Sequence, residues 1–324
     1  MKTLLASTLA WLLALAASTA IAQAPQGGTR VEFPSLDAAG RAEPVFGYLY
    51  LPPGATAGKK YPAIVVVHGS GGATDDISGR YGRELSAFGV VTLAIDSFTP
   101  RGVTSTVQDQ TLVTTAQMAR DAFAAKAFLE RNASVDPSRV AVMGQSKGGA
   151  VALLAADARY EARVRALLGV SPFAAHIPMY PSCTLQYRHP HVTAPILLLA
   201  GAEDDYVGVK SCAEYVARMR AAGADVSMIV YPDAQHGFDG RDGLRHYYIG
   251  DAQNFRNCVV YVEDDGHAVM KTGEAVDVYG ANNWMAVFRK TGCLGRGATV
   301  GTWWAAKKKS LEDIEAFLKS RLMK

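Results

Sequence analysis

Gly144-Gln145-Ser146-Lys147-Gly148 stands between an apolar run at residues 140–143 and a helix-compatible segment at residues 150–156. A glycine-flanked serine on a sharp strand-to-helix turn is aimed away from the sheet and can act as a nucleophile. Gly144, Gly148 and Gly149 carry no Cβ, so neighbouring backbone can approach closely. Outward from this turn, short apolar runs alternate with helix-like segments. Residues 45–51, 62–67, 90–95, 140–143, 166–170, 196–200 and 226–231 read as strands. Several are apolar throughout, as expected of strands buried on both faces. Between them Met118, Ala122, Ala125 and Leu129 repeat at helical spacing, as do Cys212, Tyr215, Val216 and Met219. Ser310-Leu311-Glu312-Asp313 reads as the capping box of a last helix. The alternation predicts one mostly parallel central sheet with helices on both faces.

A serine hydroxyl needs a base near neutrality, and the chain offers seven histidines. His236 lies just after the apolar run at 226–231, where open α/β sheets place function. A carboxylate must hold the imidazole in one tautomer. Asp204 follows the run ending near Gly201, with Glu203 and Asp205 as adjacent competitors. The Gly-rich loop His68-Gly69-Ser70-Gly71-Gly72 follows another apolar strand. Its Ser70 N–H, with that of Lys147, is a candidate oxyanion donor, and Gly69 and Gly71 are candidate substrate contacts. His68 reads as structural. Activity is expected to rise as His236 loses its proton, around pH 6 to 7 for an unperturbed imidazole.

Together these residues resemble the dienelactone hydrolase family within the α/β-hydrolases. The carriers are Val66-Val67-His68-Gly69, Asp96-Ser97-Phe98-Thr99-Pro100-Arg101-Gly102, Gly144-Gln145-Ser146-Lys147-Gly148-Gly149, Asp204-Asp205-Tyr206-Val207, and Tyr231-Pro232 with His236-Gly237-Phe238. The resemblance implies an α/β-hydrolase fold with Ser146, Asp204 and His236 as its triad. Family members that open dienelactones use a cysteine nucleophile; Ser146 in that place favours general carboxylic esters. The expected substrate is a small-molecule or polymeric ester, and the reaction requires no cofactor or metal. Two other readings fit the triad order: a peptidase resembling the catalytic domain of prolyl oligopeptidases, and a non-catalytic binding protein on a hydrolase fold.

Residues 1–22 read as a secretory signal peptide: Lys2, an apolar run, then Ala20-Ile21-Ala22. The run is shorter than a bilayer-spanning helix requires. No membrane insertion is expected after cleavage, and a periplasmic or secreted location is. Residues 23–324 then form a single domain. A net charge of +3 excludes strong electrostatic recruitment to nucleic acid. Cys183, Cys212, Cys258 and Cys293 lie in the exported part. Three pairings are possible, and the grouping suggests Cys183 with Cys212 and Cys258 with Cys293. Buried free thiols are the alternative.

Two stretches break the alternation: a cap-like loop at 172–194 and an insertion at 240–308 before the last helix. Asp265-Gly266 in the insertion reads as a hairpin turn. Its Tyr247, Tyr248, Phe255, Trp284, Trp303 and Trp304 either wall the substrate pocket or form a small core of their own. Arg101 is a candidate ligand for a substrate carboxylate; the competing role is an ion pair with Asp96 or another acid. His189-Pro190-His191 lacks a third metal ligand in register.

Overall fold

The computed structural model describes residues 23–37, 39–243, 246–277 and 284–324. The expected signal peptide, residues 1–22, lies outside them, as do parts of the insertion. The first nine strands are β1 (Thr29–Leu36), β2 (Ala42–Tyr50), β3 (Tyr61–Val67), β4 (Val91–Asp96), β5 (Val135–Gln145), β6 (Ala175–Met179), β7 (Leu185–Tyr187), β8 (Ile196–Gly201) and β9 (Val226–Tyr231). All but β7 form one sheet in the order β1-β2-β4-β3-β5-β6-β8-β9. β1 and β2 pair antiparallel, β2 runs antiparallel to β4, and every later pair is parallel.

β3 shows why the sheet sits at the centre. All seven of its residues are buried. Val65 and Val67 pack into one core and Ile64 and Val66 into the other, as period-two alternation requires. The first core is covered by α2 (Thr115–Glu130), α3 (Lys147–Leu154), α4 (Ala158–Leu168) and α5 (Val209–Ala221). The second is covered by α1 (Arg80–Ala87) and the last helix, α7 (Trp304–Leu322). The chain has an α/β-hydrolase fold.

Two readings need correction. Residues 166–170 are not a strand: they run from the end of α4 into its cap, where Gly169 takes a left-handed φ of 63°. The strand is β6, six residues on, whose His176 and Pro178 interrupt its apolar character. The last helix begins at Trp304, not Ser310; the Ser310 hydroxyl bonds back to the Lys307 carbonyl.

The two irregular stretches meet. The insertion carries β10 (Tyr247–Asn254), β11 (Val260–Val262), β12 (Ala268–Met270), α6 (Trp284–Lys290) and β13 (Gly295–Val300). β11 and β12 are joined through the Asp265-Gly266 turn. β11 also pairs in parallel with β7 from the cap-like loop, completing a three-stranded sheet. β10 and β13 form a separate antiparallel pair. Disulfides join Cys183 to Cys212 and Cys258 to Cys293. Val260, Val262, Met270, Val276 and Phe288 join the core beneath α2–α5, so the insertion is packed onto the main body. Among the described residues no helix is long and apolar enough to cross a membrane.

Candidate active site

β5 ends at Gln145 and α3 begins at Lys147, leaving Ser146 alone at the corner with φ 54° and ψ −111°. An L-residue rarely adopts such a backbone, and holding it there costs roughly 1–3 kcal/mol. The surroundings enforce it. A Cβ on Gly148 would lie 2.0 Å from the Val67 carbonyl oxygen, and one on Gly144 would lie 2.4 Å from the Gly148 backbone. The Ser146 N–H is tied to the Met179 carbonyl of β6 at 2.9 Å.

The Ser146 hydroxyl lies 2.8 Å from His236 Nε2. His236 Nδ1 lies 2.8 Å from Asp204 Oδ2. Asp204 Oδ1 is occupied separately, accepting the N–H groups of Tyr206 and Val207 at 2.9 and 3.0 Å. That leaves Oδ2 for the imidazole, so Nδ1 carries a proton and Nε2 is free to accept one. Burial opposes ionisation of Asp204, but His236 and the two backbone donors outweigh it and hold its carboxyl below the ordinary value. Tyr180 and Tyr206 pack their rings edge-on against His236, with centroids 4.9 and 4.7 Å away. The Tyr180 hydroxyl donates to the buried Asp239. Sequence reasoning gave neither tyrosine a role: Tyr180 carried no motif, and Tyr206 stood only within the Asp204-Asp205-Tyr206-Val207 stretch that carries the resemblance.

The competing acids have other places. Glu203 is exposed. Asp205 accepts the Thr299 N–H and hydroxyl at 2.7 and 2.8 Å, anchoring β13 beside the Asp204 loop. The insertion also braces the histidine loop: the Gly301 N–H donates to the His236 carbonyl and the Trp303 N–H to that of Phe238.

Gly69 backs onto the serine turn; a Cβ there would sit 3.2 Å from the Gln145 carbonyl and 3.4 Å from Ser146 Cβ. This brings the 68–72 loop alongside the nucleophile. The Ser70 hydroxyl bonds to the Gln110 side chain, and its carbonyl accepts the Thr106 N–H. Gly69 and Gly71 flank Ser70 but do not line the cavity described below. His68 is buried and donates from Nδ1 to the Gly69 carbonyl while Nε2 accepts the Ser97 N–H. Burial holds its pKa below the ordinary value. The Lys147 ammonium is also buried, donating to Thr106 Oγ1 and the Gln110 carbonyl. Burial pushes it down to about 7, against the pull of the Asp109 charge.

Arg101 lines the cavity that Ser146 opens into, but its guanidinium is committed to protein partners. Its guanidinium donates to Glu43, to Asp121 and to the Ser97 carbonyl. Five contacts for five N–H groups leave none for a substrate carboxylate. Asp96 is not its partner; it caps the turn at Phe98 and Thr99. His189 is on the surface with Nδ1 against Asp264.

A cavity of about 450 Å³ opens at Ser146. Ser70, Lys147, Gln110 and Tyr206 line it, as do the charged Glu43, Arg101 and Arg120, while Phe255, Val260, Val276, Trp284 and Phe288 bring the insertion into its wall. Of the aromatics singled out in the insertion, only Phe255 and Trp284 line it; Tyr247, Tyr248, Trp303 and Trp304 are exposed.

Residues 45–256 match the model of the dienelactone hydrolase family. A Bradyrhizobium protein described as a probable 2-oxo-3-(5-oxofuran-2-ylidene)propanoate lactonase is 28% identical over 217 residues, 63% of this chain and 84% of its own. An uncharacterized protein of Mycobacterium tuberculosis is 31% identical over 213 residues, 59% of this chain and 71% of its own. The structure of Thermogutta terrifontis esterase 2 with propionate bound is similar with a TM-score of 0.52 at 18% identity, covering 67% of this chain and 88% of that one.

Proposed function

The chain belongs to the dienelactone hydrolase family, and from that premise we propose that it is a serine hydrolase cleaving carboxylic esters through an acyl-enzyme. One observation carries the reading: the unbroken hydrogen-bond chain from the Ser146 hydroxyl through His236 to Asp204.

In this reading His236 Nε2 takes the Ser146 proton as Oγ bonds to the ester carbonyl carbon. The carbonyl electron pair moves onto oxygen, where the N–H groups of Lys147 and Ser70 receive it. Each donor is worth roughly 3 kcal/mol in the transition state. Collapse of the tetrahedral species breaks the bond to the alcohol, which leaves with the proton from His236. Water then attacks the acyl-enzyme with His236 again as base. Asp204 stabilises the imidazolium in both halves.

The Bradyrhizobium relative bears a lactonase name. Lactone opening is the same acyl transfer with a tethered alcohol, and a serine nucleophile suits open-chain esters equally well. Export to the periplasm or the medium belongs to the same proposal, supported by the two disulfides.

The test is covalent labelling with a small fluorophosphonate, beside parallel assays on short-chain esters and aminoacyl-anilides. A phosphonyl adduct on Ser146 with turnover of the esters is the expected result. Turnover of the anilides alone would make the protein a peptidase, and absence of both adduct and turnover would leave a binding protein.

A further inference from the structure

The 450 Å³ cavity is lined by charged residues such as Glu43, Arg101 and Arg120 and by two apolar groups of residues. One comes from α3, the helix that follows Ser146: Ala150, Leu153 and Leu154. The other is three rings from the insertion: Phe255, Trp284 and Phe288. They pack edge to face in all three pairings, with centroids 5.6, 5.7 and 5.5 Å apart. Edge-to-face packing is the arrangement aromatic rings prefer, and a further ring extends it on better terms than an alkyl group of equal size.

This wall is built before any substrate arrives. β11 is hydrogen-bonded to β7, the Cys258–Cys293 disulfide ties the segment after Phe255 to the end of α6, and Asp205 holds β13. A preformed cavity loses little order when a ligand enters. Trp284 and Phe288 lie beyond the span, residues 45–256, that the family model matches. Two of the wall's three rings are therefore supplied by the part of the chain beyond the family match.

Resting on the esterase reading, we infer that the substrate is an ester carrying an aromatic ring, seated against the Phe255–Trp284–Phe288 wall while its carbonyl lies at Ser146.

The experiment compares kcat/KM for methyl acetate, methyl phenylacetate and benzyl acetate, with methyl cyclohexylacetate and cyclohexylmethyl acetate as saturated counterparts. The ring is insulated from the carbonyl in each, so intrinsic reactivity stays similar. The wild-type protein, first shown to be labelled at Ser146 by a fluorophosphonate, is expected to prefer one aromatic ester over methyl acetate by on the order of 100-fold. It should prefer that ester over the saturated counterpart by about fivefold. Whichever series shows the preference assigns the ring to the acyl or the alcohol side. Trp284→Ala should lower the aromatic-to-acetate ratio about tenfold. Phe255→Leu, which keeps apolar bulk and loses only the ring, should lower it severalfold and serves if the first variant does not fold. Equal rates for aromatic and saturated esters, or a ratio unmoved by Phe255→Leu, overturn the inference while the labelled nucleophile leaves the esterase standing. No labelling and no ester turnover would instead remove the reading beneath it.

Discussion

Asp205 holds Thr299 by two hydrogen bonds, 2.7 Å from the threonine N–H and 2.8 Å from its hydroxyl, while the aspartate before it faces the other way and accepts from His236. Two successive acids on one loop thus serve two structures. Asp204 orients the proposed general base, and Asp205 fastens the insertion that walls the cavity. Thr299 and Val300 are neighbours, and Val300 bridges to His236 itself. The insertion and the reacting groups therefore share one frame.

That division separates the two substitutions. Asp204→Asn presents an amide where the imidazole N–H needs an acceptor, favouring the wrong tautomer. It should lower kcat on the order of 10⁴-fold with a modest change in KM. Asp205→Asn keeps one acceptor for the Thr299 N–H and loses a charged one for its hydroxyl. It should cost about 1–2 kcal/mol of stability and act on KM more than on kcat. Steady-state kinetics with thermal unfolding on both variants checks the contrast; equal losses of kcat would sink it.

Ser146 holds its φ of 54° through the close packing of Gly144 and Gly148 around it. Ser146→Ala and Ser146→Gly both remove the nucleophile and should both abolish turnover. Only glycine relieves the backbone. The glycine variant should be the more stable of the two by about 1 kcal/mol, the relieved strain exceeding the extra entropy of the unfolded chain. Urea midpoints compare them directly.

The serine turn was legible because its constraint is local: three glycines, a strand and a helix within a dozen residues. The apolar runs of β3, β4, β8 and β9 were legible for the same reason. β6 escaped because His176 and Pro178 break its pattern, while residues 166–170 offered a false strand of equal apolarity at a helix end. The cavity wall carried no local signal. β7 and β11 pair residues that lie 75 positions apart, such as Leu185 with Val260. Arg101 was uncertain for a like reason, since its acids come from 58 positions before it and 20 after.

Those acids define a stability prediction. Asp121 is fully buried, and Arg101 is its ion-pair partner. Arg101→Met would leave the Asp121 carboxylate buried without its cation and should destabilise the fold by about 3–5 kcal/mol. The paired change Arg101→Met with Asp121→Leu should recover part of that loss, because it removes the fully buried charge with its partner and leaves only the partly exposed Glu43 without a cation. A substrate-carboxylate role would predict the reverse emphasis: a fold intact in Arg101→Met with KM raised for acidic esters. Denaturation curves of the single and double variants separate the two.

Two buried histidines, His176 and His68, make the fold sensitive to acid, and His176 allows the effect to be sized. Its Nδ1 donates to the Ala152 carbonyl at 3.1 Å, and burial pushes its pKa from 6.5 down to about 3. Below pH 6.5 the unfolded chain takes up this proton while the folded one does not, so stability falls as pH drops from 6.5 towards 3. Each pH unit in that window costs about 1.4 kcal/mol per group. At pH 5 the loss from His176 alone should be about 2 kcal/mol relative to pH 7. Asp204, held below the ordinary carboxylate value, adds its own loss only at lower pH, as its folded pKa is approached. His176→Leu deletes the titrating group, so the difference in unfolding free energy between pH 7 and pH 5 should shrink by that same amount. An unchanged pH slope in the variant would mean that the imidazole is already protonated in the folded protein, or that other groups carry the acid response.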